Sequence, residues 1–291
     1  MPILGGNMYK IISDFENQAL VGSGHELINL ACGNDVKAYE LLSVHEIIQF
    51  IGYAKYKNKS LGNVYFRGQT DLYNGKMIPS LFRNVKNVQN VQNSFNGSIN
   101  SIMLKNKKFG SFDRTILEPI LQHYGLKTPW IDVVDNIWVA LWFALHESKS
   151  IIINNREYVH YYDSRQKYAY IVLMASDATT AVKPYGVYEG KETTVVDLRK
   201  ATPSFYIRPH AQHAYMIKKN ELFAADYSDL IVGIIKIPTQ LGQQWVGEND
   251  LLKLNSLFPS PHFDYGYHYL LKHYPETISA KNYGSIQILS D

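Results

Sequence analysis

Nine consecutive residues, Ile137 to Leu145, are apolar on nearly every side of a helix, with Trp138, Leu141, Trp142 and Phe143 among them. A helix that is apolar all round is a buried helix, so the chain must fold into a body that encloses it. Asp135 and Asn136 stand just before it and offer side-chain acceptors to its first free amides. The rest of the chain can supply the cover, since 46% of its 291 residues are hydrophobic. Only 19% are charged, below the usual quarter, which argues against disorder.

Other elements follow from spacing. Ser43-Val44-His45-Glu46 has the capping-box pattern, and Ile47, Ile48, Ile51 and Ala54 recur at helical intervals, predicting a helix over 43–57. Val64-Tyr65-Phe66-Arg67 has the two-residue period of a half-buried strand. Gly68 then lets the backbone turn or approach a ligand closely. Residues 84–106, rich in Asn, read as a solvated loop, an irregular helix or a basic flap, and Arg114 to Gln122 as a helix. Strands are predicted over 168–174, 193–198, 213–217 and 230–237, and helical cover over 245–270. Helices first and strands mostly later imply an α+β domain over 43–291, with a mixed, mostly antiparallel core and N-terminal, central and C-terminal helices packed on it. Residues 1–42 show little periodicity and read as a peripheral N-terminal segment.

Composition removes several classes. Cys32 is the sole cysteine, which leaves no intramolecular disulfide and no cysteine metal framework. His210 and His213 lack a third ligand nearby, and no phosphate-loop or nucleophile-elbow motif occurs, so no metal is expected. No apolar run reaches eighteen residues and no signal pattern opens the chain, so a soluble cytoplasmic protein without membrane contact is the simplest expectation. Residues 72–112 hold no carboxylate but six Lys or Arg, and a second basic stretch contains Arg199, Lys200, Arg208, Lys218 and Lys219. Such stretches suit a polyanion, and the 22 tyrosines could stack on unpaired bases. Lys105, Lys107, Lys108 and Arg208 are the candidate nucleic-acid contacts.

Three blocks together resemble the FRG domain family, named for its (Phe/Tyr)-Arg-Gly motif. They are Tyr65-Phe66-Arg67-Gly68-Gln69 with Pro79-Ser80-Leu81; Gln122-His123-Tyr124-Gly125 running to Asp132 and Ala140–Ala144; and Arg208 with Ala211-Gln212. Leu257-Phe258-Pro259 is similar to the family's C-terminal signature, and the resemblance extends over roughly 43–275. Where the family usually has Thr-Arg-Leu-Leu-Asp, this chain has Thr128-Pro129-Trp130-Ile131-Asp132, without the arginine. A weaker resemblance, in order and type of parts, is to ADP-ribosyltransferases. Arg67-Gly68 stands for the early-strand arginine, Thr128 leads to the Ala140–Phe143 helix, and Gln212 takes the place of the late-strand Glu or Gln.

The second resemblance implies NAD as substrate, held by Tyr65, Arg67, Gly68, Gln69, His123, Tyr124 and Thr128. Arg67, Asp132 and Gln212 are the implied catalytic residues. Breaking the nicotinamide–ribose bond develops positive charge on the sugar, which a carboxylate stabilises. Gln212 carries no charge, so Asp132 is the substitute. A guanidinium binds phosphate bidentately, and the N-terminus of the helix after Asp135 could add to the anion site. The resemblance implies a toxin or anti-phage defence effector, with NAD, a nucleic-acid target and an antitoxin or regulatory protein as partners. Each residue has a structural alternative: an Arg67–Asp132 ion pair, a core His123, Gln212 or Gln69 satisfying backbone groups, and Asp132 as a helix cap. The alternative function is a non-catalytic nucleotide- or RNA-binding module.

Overall fold

The computed structural model describes residues 8–17, 24–105, 111–153, 156–247, 252–277 and 286–289. Lys107 and Lys108 lie outside them. The chain opens with β1 (His25–Asn29), β2 (Asp35–Glu40), α1 (Val44–Asn58) and β3 (Asn63–Gln69). Next come α2 (Val88–Lys105), α3 (Arg114–His123), β4 (Ile131–Val134), α4 (Ile137–Leu145), β5 (His146–Ile153) and β6 (Arg156–Asp163). Then follow β7 (Tyr168–Ser176), β8 (Thr180–Val182), β9 (Val187–Glu189), β10 (Thr193–Asp197), α5 (Leu198–Ala201), α6 (Ile207–Ala211) and β11 (Ala214–Lys219). The last elements are β12 (Ile231–Pro238), α7 (Thr239–Trp245), α8 (Leu254–Leu257), α9 (Tyr265–Thr277) and β13 (Ile286–Leu289).

Ten strands form one sheet in the order β1-β2-β12-β7-β3-β4-β11-β10-β9-β8. Every neighbouring pair is antiparallel except β2 with β12. A smaller sheet, β13-β6-β5, grows from the end of α4. The fold is therefore mixed α+β with a large, mostly antiparallel sheet, as expected.

Local chemistry sets the helix starts. Ser43 and Glu46 form the capping box of α1 reciprocally, and Asn136 accepts from the amides of Trp138 and Val139 at the start of α4. Leu141, Trp142, Ala144 and Leu145 of α4 are fully buried, as an all-apolar helix requires. Gly68 explains how closely α4 packs on β3. A Cβ there would collide with the Ala140 carbonyl oxygen and stand 2.7 Å from the Ala144 nitrogen. The strand runs on to Gln69, so Gly68 makes no turn and serves the helix–sheet contact.

Three expectations are corrected. The described part of 1–42 is not peripheral: β2 pairs with β12, and Ile12, Phe15, Tyr39 and Leu41 are wholly buried. Phe15 packs edge-on against Phe50 of α1, ring centroids 4.8 Å apart. The polar, Lys- and Ala-containing β2 hides this because its β propensity is weak. Strand β3 is central, not half-buried: Val64, Tyr65 and Phe66 are all buried. Residues 88–105 form a regular helix, whose Phe95, Ile99 and Ile102 enter a second core with α3, Trp130 and Tyr267.

The sheet has one weak joint. β3 pairs with β7 along its whole length and β4 pairs fully with β11, yet β3 meets β4 only at Phe66 opposite Val134. To either side of that pair the strands part. The candidate site lies in one of the openings.

Candidate functional site

A cavity of about 280 Å³ opens where Arg67 and Gly68 of β3 part from Asp132 and Val133 of β4. Its polar wall is made by Arg67, Gln122, His123, Asp132, Arg208 and Gln212. Phe143, Tyr161 and Phe258 form an aromatic wall. Five expected site residues from separate parts of the chain thus converge here: Arg67, Gly68, His123, Asp132 and Gln212.

Arg67 and Asp132 meet, but not as an ion pair. Arg67 Nη1 donates to the backbone oxygen of Asp132 at 2.6 Å, bridging the gap in the strand ladder. Its buried Nε has no hydrogen-bond partner among the described residues. Burial and the nearby Arg83 push the guanidinium below its ordinary pKa, while Asp132 opposes them. An arginine nevertheless stays protonated.

The Asp132 carboxylate is held by a relay. Thr128, wholly buried, donates its hydroxyl to Gln122 Oε1, and Gln122 Nε2 donates to Asp132 Oδ2 at 2.6 Å. His123 Nδ1 stands 3.9 Å from Oδ1, too far for a hydrogen bond. The side chain of Asp132 remains 47% exposed, facing the opening. Burial disfavours its charge, yet His123, Arg67 and Gln122 outweigh that and hold the carboxyl below the usual range.

Arg208 is the residue most displaced from expectation. It was expected at a nucleic-acid surface, but it is 2% exposed and lines this cavity. Its guanidinium carbon lies 4.3 Å from the Tyr267 ring centroid, 4.6 Å from that of Tyr124 and 5.5 Å from that of Phe258. Nη1 donates to the His123 carbonyl at 3.2 Å, whereas Nε and Nη2 are buried without partners. Asp264, wholly buried, fixes the surroundings by accepting from the Arg208 amide, the Tyr124 hydroxyl and the Tyr267 amide.

Neither Arg67 nor Arg208 has a carboxylate within 4.0 Å among the described residues. Their three unpartnered nitrogens and the buried, unpartnered His123 Nε2 belong to residues lining one cavity. Buried donors without acceptors are costly, so these nitrogens suit an incoming acceptor such as an anion. Guanidinium forks suit a phosphate or carboxylate.

The other candidates fall elsewhere. Tyr65 lines a different cavity and packs on Tyr215, centroids 4.9 Å apart. Gln69 is buried within the β3–β7 ladder, Tyr124 sits behind Arg208, and Thr128 acts only through Gln122. Gln212 lines the cavity but gives its amide to the Leu257 carbonyl at 2.8 Å. The amides at the start of α4 are taken by Asn136, and the cavity meets the helix further on, at Ala140 and Phe143, so the helix end adds nothing to the anion site.

The second basic stretch is neutralised in part. Arg199 pairs with Asp135 at 2.9 Å and Asp197 at 3.1 Å, and Lys219 with Asp229 at 2.8 Å. Lys105 ends α2 on the surface, away from the cavity. Sequence reasoning missed Phe143, Tyr161 and Phe258, whose types and spacing read as ordinary core.

An α+β protein with a cationic cavity at a sheet joint is the class that fold and site define. The FRG domain family model matches residues 62–151, from the start of β3 into β5, and supports the resemblance over that part of the chain. The match is narrower than the 43–275 expected. It includes Arg67, His123 and Asp132, while Arg208 and Gln212 lie beyond it. No curated protein and no solved structure matches the chain. No helix among the described residues is long and apolar enough to cross a membrane.

Proposed function

We propose that this cavity binds the phosphate-bearing nicotinamide–ribose end of NAD and that the protein transfers the ADP-ribosyl group to an acceptor. The observation that carries this reading is the set of unpartnered nitrogens on Arg67, His123 and Arg208 beside an ionised, half-exposed Asp132. The two guanidiniums would hold the phosphates. Asp132 would face the sugar as positive charge develops, and Phe143, Tyr161 and Phe258 would pack against flat or apolar parts of the ligand. A cavity of about 280 Å³ is at the lower limit for ligand pockets, about 300–1,000 Å³. It suits one end of the dinucleotide, with the adenosine end reaching outward.

In the step itself the bond from the ribose carbon to nicotinamide breaks, and its electron pair leaves with the nicotinamide nitrogen. A lone pair on the acceptor forms the new bond to that carbon. The acceptor's proton passes to Asp132 or to water.

Purified protein incubated with NAD should release nicotinamide. Asp132→Asn should lower that rate by about 10² or more, the usual scale for a group acting in the transition state, with folding unchanged. Equal turnover in wild type and Asp132→Asn would defeat the proposal. One observation favours a second reading, a nucleotide-binding module without turnover: Gln212, at the place of the late-strand acid, is uncharged and tied to Leu257. Saturable NAD binding lost in Arg208→Met, with no nicotinamide released by any form, would select it.

A further inference from the structure

The strands also part on the other side of the Phe66–Val134 pair, between Val64 and Tyr65 of β3 and Asp135 after β4. A second cavity of about 440 Å³ occupies that opening. The two cavities therefore sit on one joint, separated by one residue pair. The second differs in chemistry. Its floor is aromatic, built from Tyr65, Tyr188 and Tyr215, and Lys55 and Lys59 border it from one turn of the α1 end.

The floor is set firmly. Tyr215 accepts from Arg199 Nη2 at 2.6 Å and Tyr188 from Lys200 Nζ at 2.9 Å, so both rings are fixed by their hydroxyls. Arg199 is itself held by Asp135 and by the wholly buried Asp197. Asp135 keeps acceptor capacity at the cavity wall, because a carboxylate can take several donors. Lys55 and Lys59 have no carboxylate within 4.0 Å among the described residues. They lie instead over the rings of Phe66 and Tyr56. Two ammonium groups without a carboxylate partner, beside tyrosine rings and Asp135, suit a ligand with a phosphate, a flat base and an amine to donate.

We infer that this second cavity receives one nucleotide of a single-stranded nucleic acid, with Lys55 and Lys59 on its phosphates and its base against Tyr188. A single strand is required because only an unpaired base can enter and stack. The site stands on its own geometry. Its further role, as the place where the acceptor strand is held, rests on the transfer reaction proposed above.

The test is fluorescence anisotropy with a labelled ten-nucleotide RNA of mixed sequence, with wild type and variants at several salt concentrations. Lys55→Ala/Lys59→Ala should weaken binding at least tenfold and flatten the plot of log affinity against log salt by about 1.4, for two phosphate contacts on a single strand. Tyr188→Leu should weaken binding without changing that slope. The same RNA in a duplex should bind no better than to the lysine variant. Wild-type affinity in the lysine variant, or equal binding of single strand and duplex, overturns the site. Nicotinamide release without RNA reports on the first cavity alone, so loss of turnover with binding preserved would remove the reaction and leave the docking site standing.

Discussion

At the scale of single residues, the half-buried Arg67 and the buried Arg208 dominate. Arg67 keeps one nitrogen without a partner and Arg208 two, so an anion in the cavity should stabilise the folded form more than the unfolded. Pyrophosphate at one hundred times its dissociation constant should add about 2.7 kcal/mol, visible as a rise in Tm, and Arg208→Met should abolish that rise. The same substitution should cost the free protein less than about 1 kcal/mol, because it removes a buried charge that no carboxylate offsets. Asp264→Ala should behave in the opposite way. It strips acceptors from the Tyr124 hydroxyl and two amides and should lower stability by about 2–4 kcal/mol in urea denaturation. Sequence reasoning found Arg67, His123 and Asp132 because their types stand out beside turns and strand ends. It assigned Arg208 to a surface because nothing local announces a cage built from Tyr124, Phe258 and Tyr267, far apart in the chain.

At the scale of elements, local signals were legible wherever one side chain answers one backbone group. Ser43 with Glu46 and Asn136 before Ile137 fixed the starts of α1 and α4 within a residue. The strands β7, β10, β11 and β12 were equally legible from their β-branched and aromatic runs. The β5–β6 hairpin was not, because β5 begins at the residue after α4 ends, with no loop residues to mark the change. Two substitutions test the readings that geometry revised. Gly68→Ala should lose about 3 kcal/mol or more, since a methyl there meets helix backbone and not a yielding side chain. Glu46→Ala should cost about 1 kcal/mol through the capping box alone. Denaturant midpoints distinguish them.

At the scale of the whole molecule, residues 8–17 and 24–42 are part of the body that encloses α4 and its neighbours. A chain starting at residue 43 loses β2 from the edge of β12 and uncovers Phe50, so it should fail to unfold cooperatively. A milder test uses Glu16, whose carboxylate takes the Tyr39 hydroxyl at 2.6 Å and pairs with Lys37. Its pKa falls from 4.5 to about 2, chiefly through the Lys37 hydrogen bond and then that of Tyr39. A carboxyl with a depressed folded pKa contributes stability above its unfolded value that is lost as pH falls towards the folded one. Stability should therefore decline between pH 4.5 and 2, and Glu16→Gln should flatten that part of the curve. An unchanged slope in the variant would remove Glu16 from the account.

The cage around Arg208 also carries a consequence for synthesis. Phe258, Asp264 and Tyr267 complete it, whereas Arg67 and Asp132 are translated far earlier. A nascent chain can pair β3 with β7 well before those later residues leave the ribosome, but it cannot yet clamp the second guanidinium. The enclosure of Arg208 is thus complete only once translation has passed Tyr267.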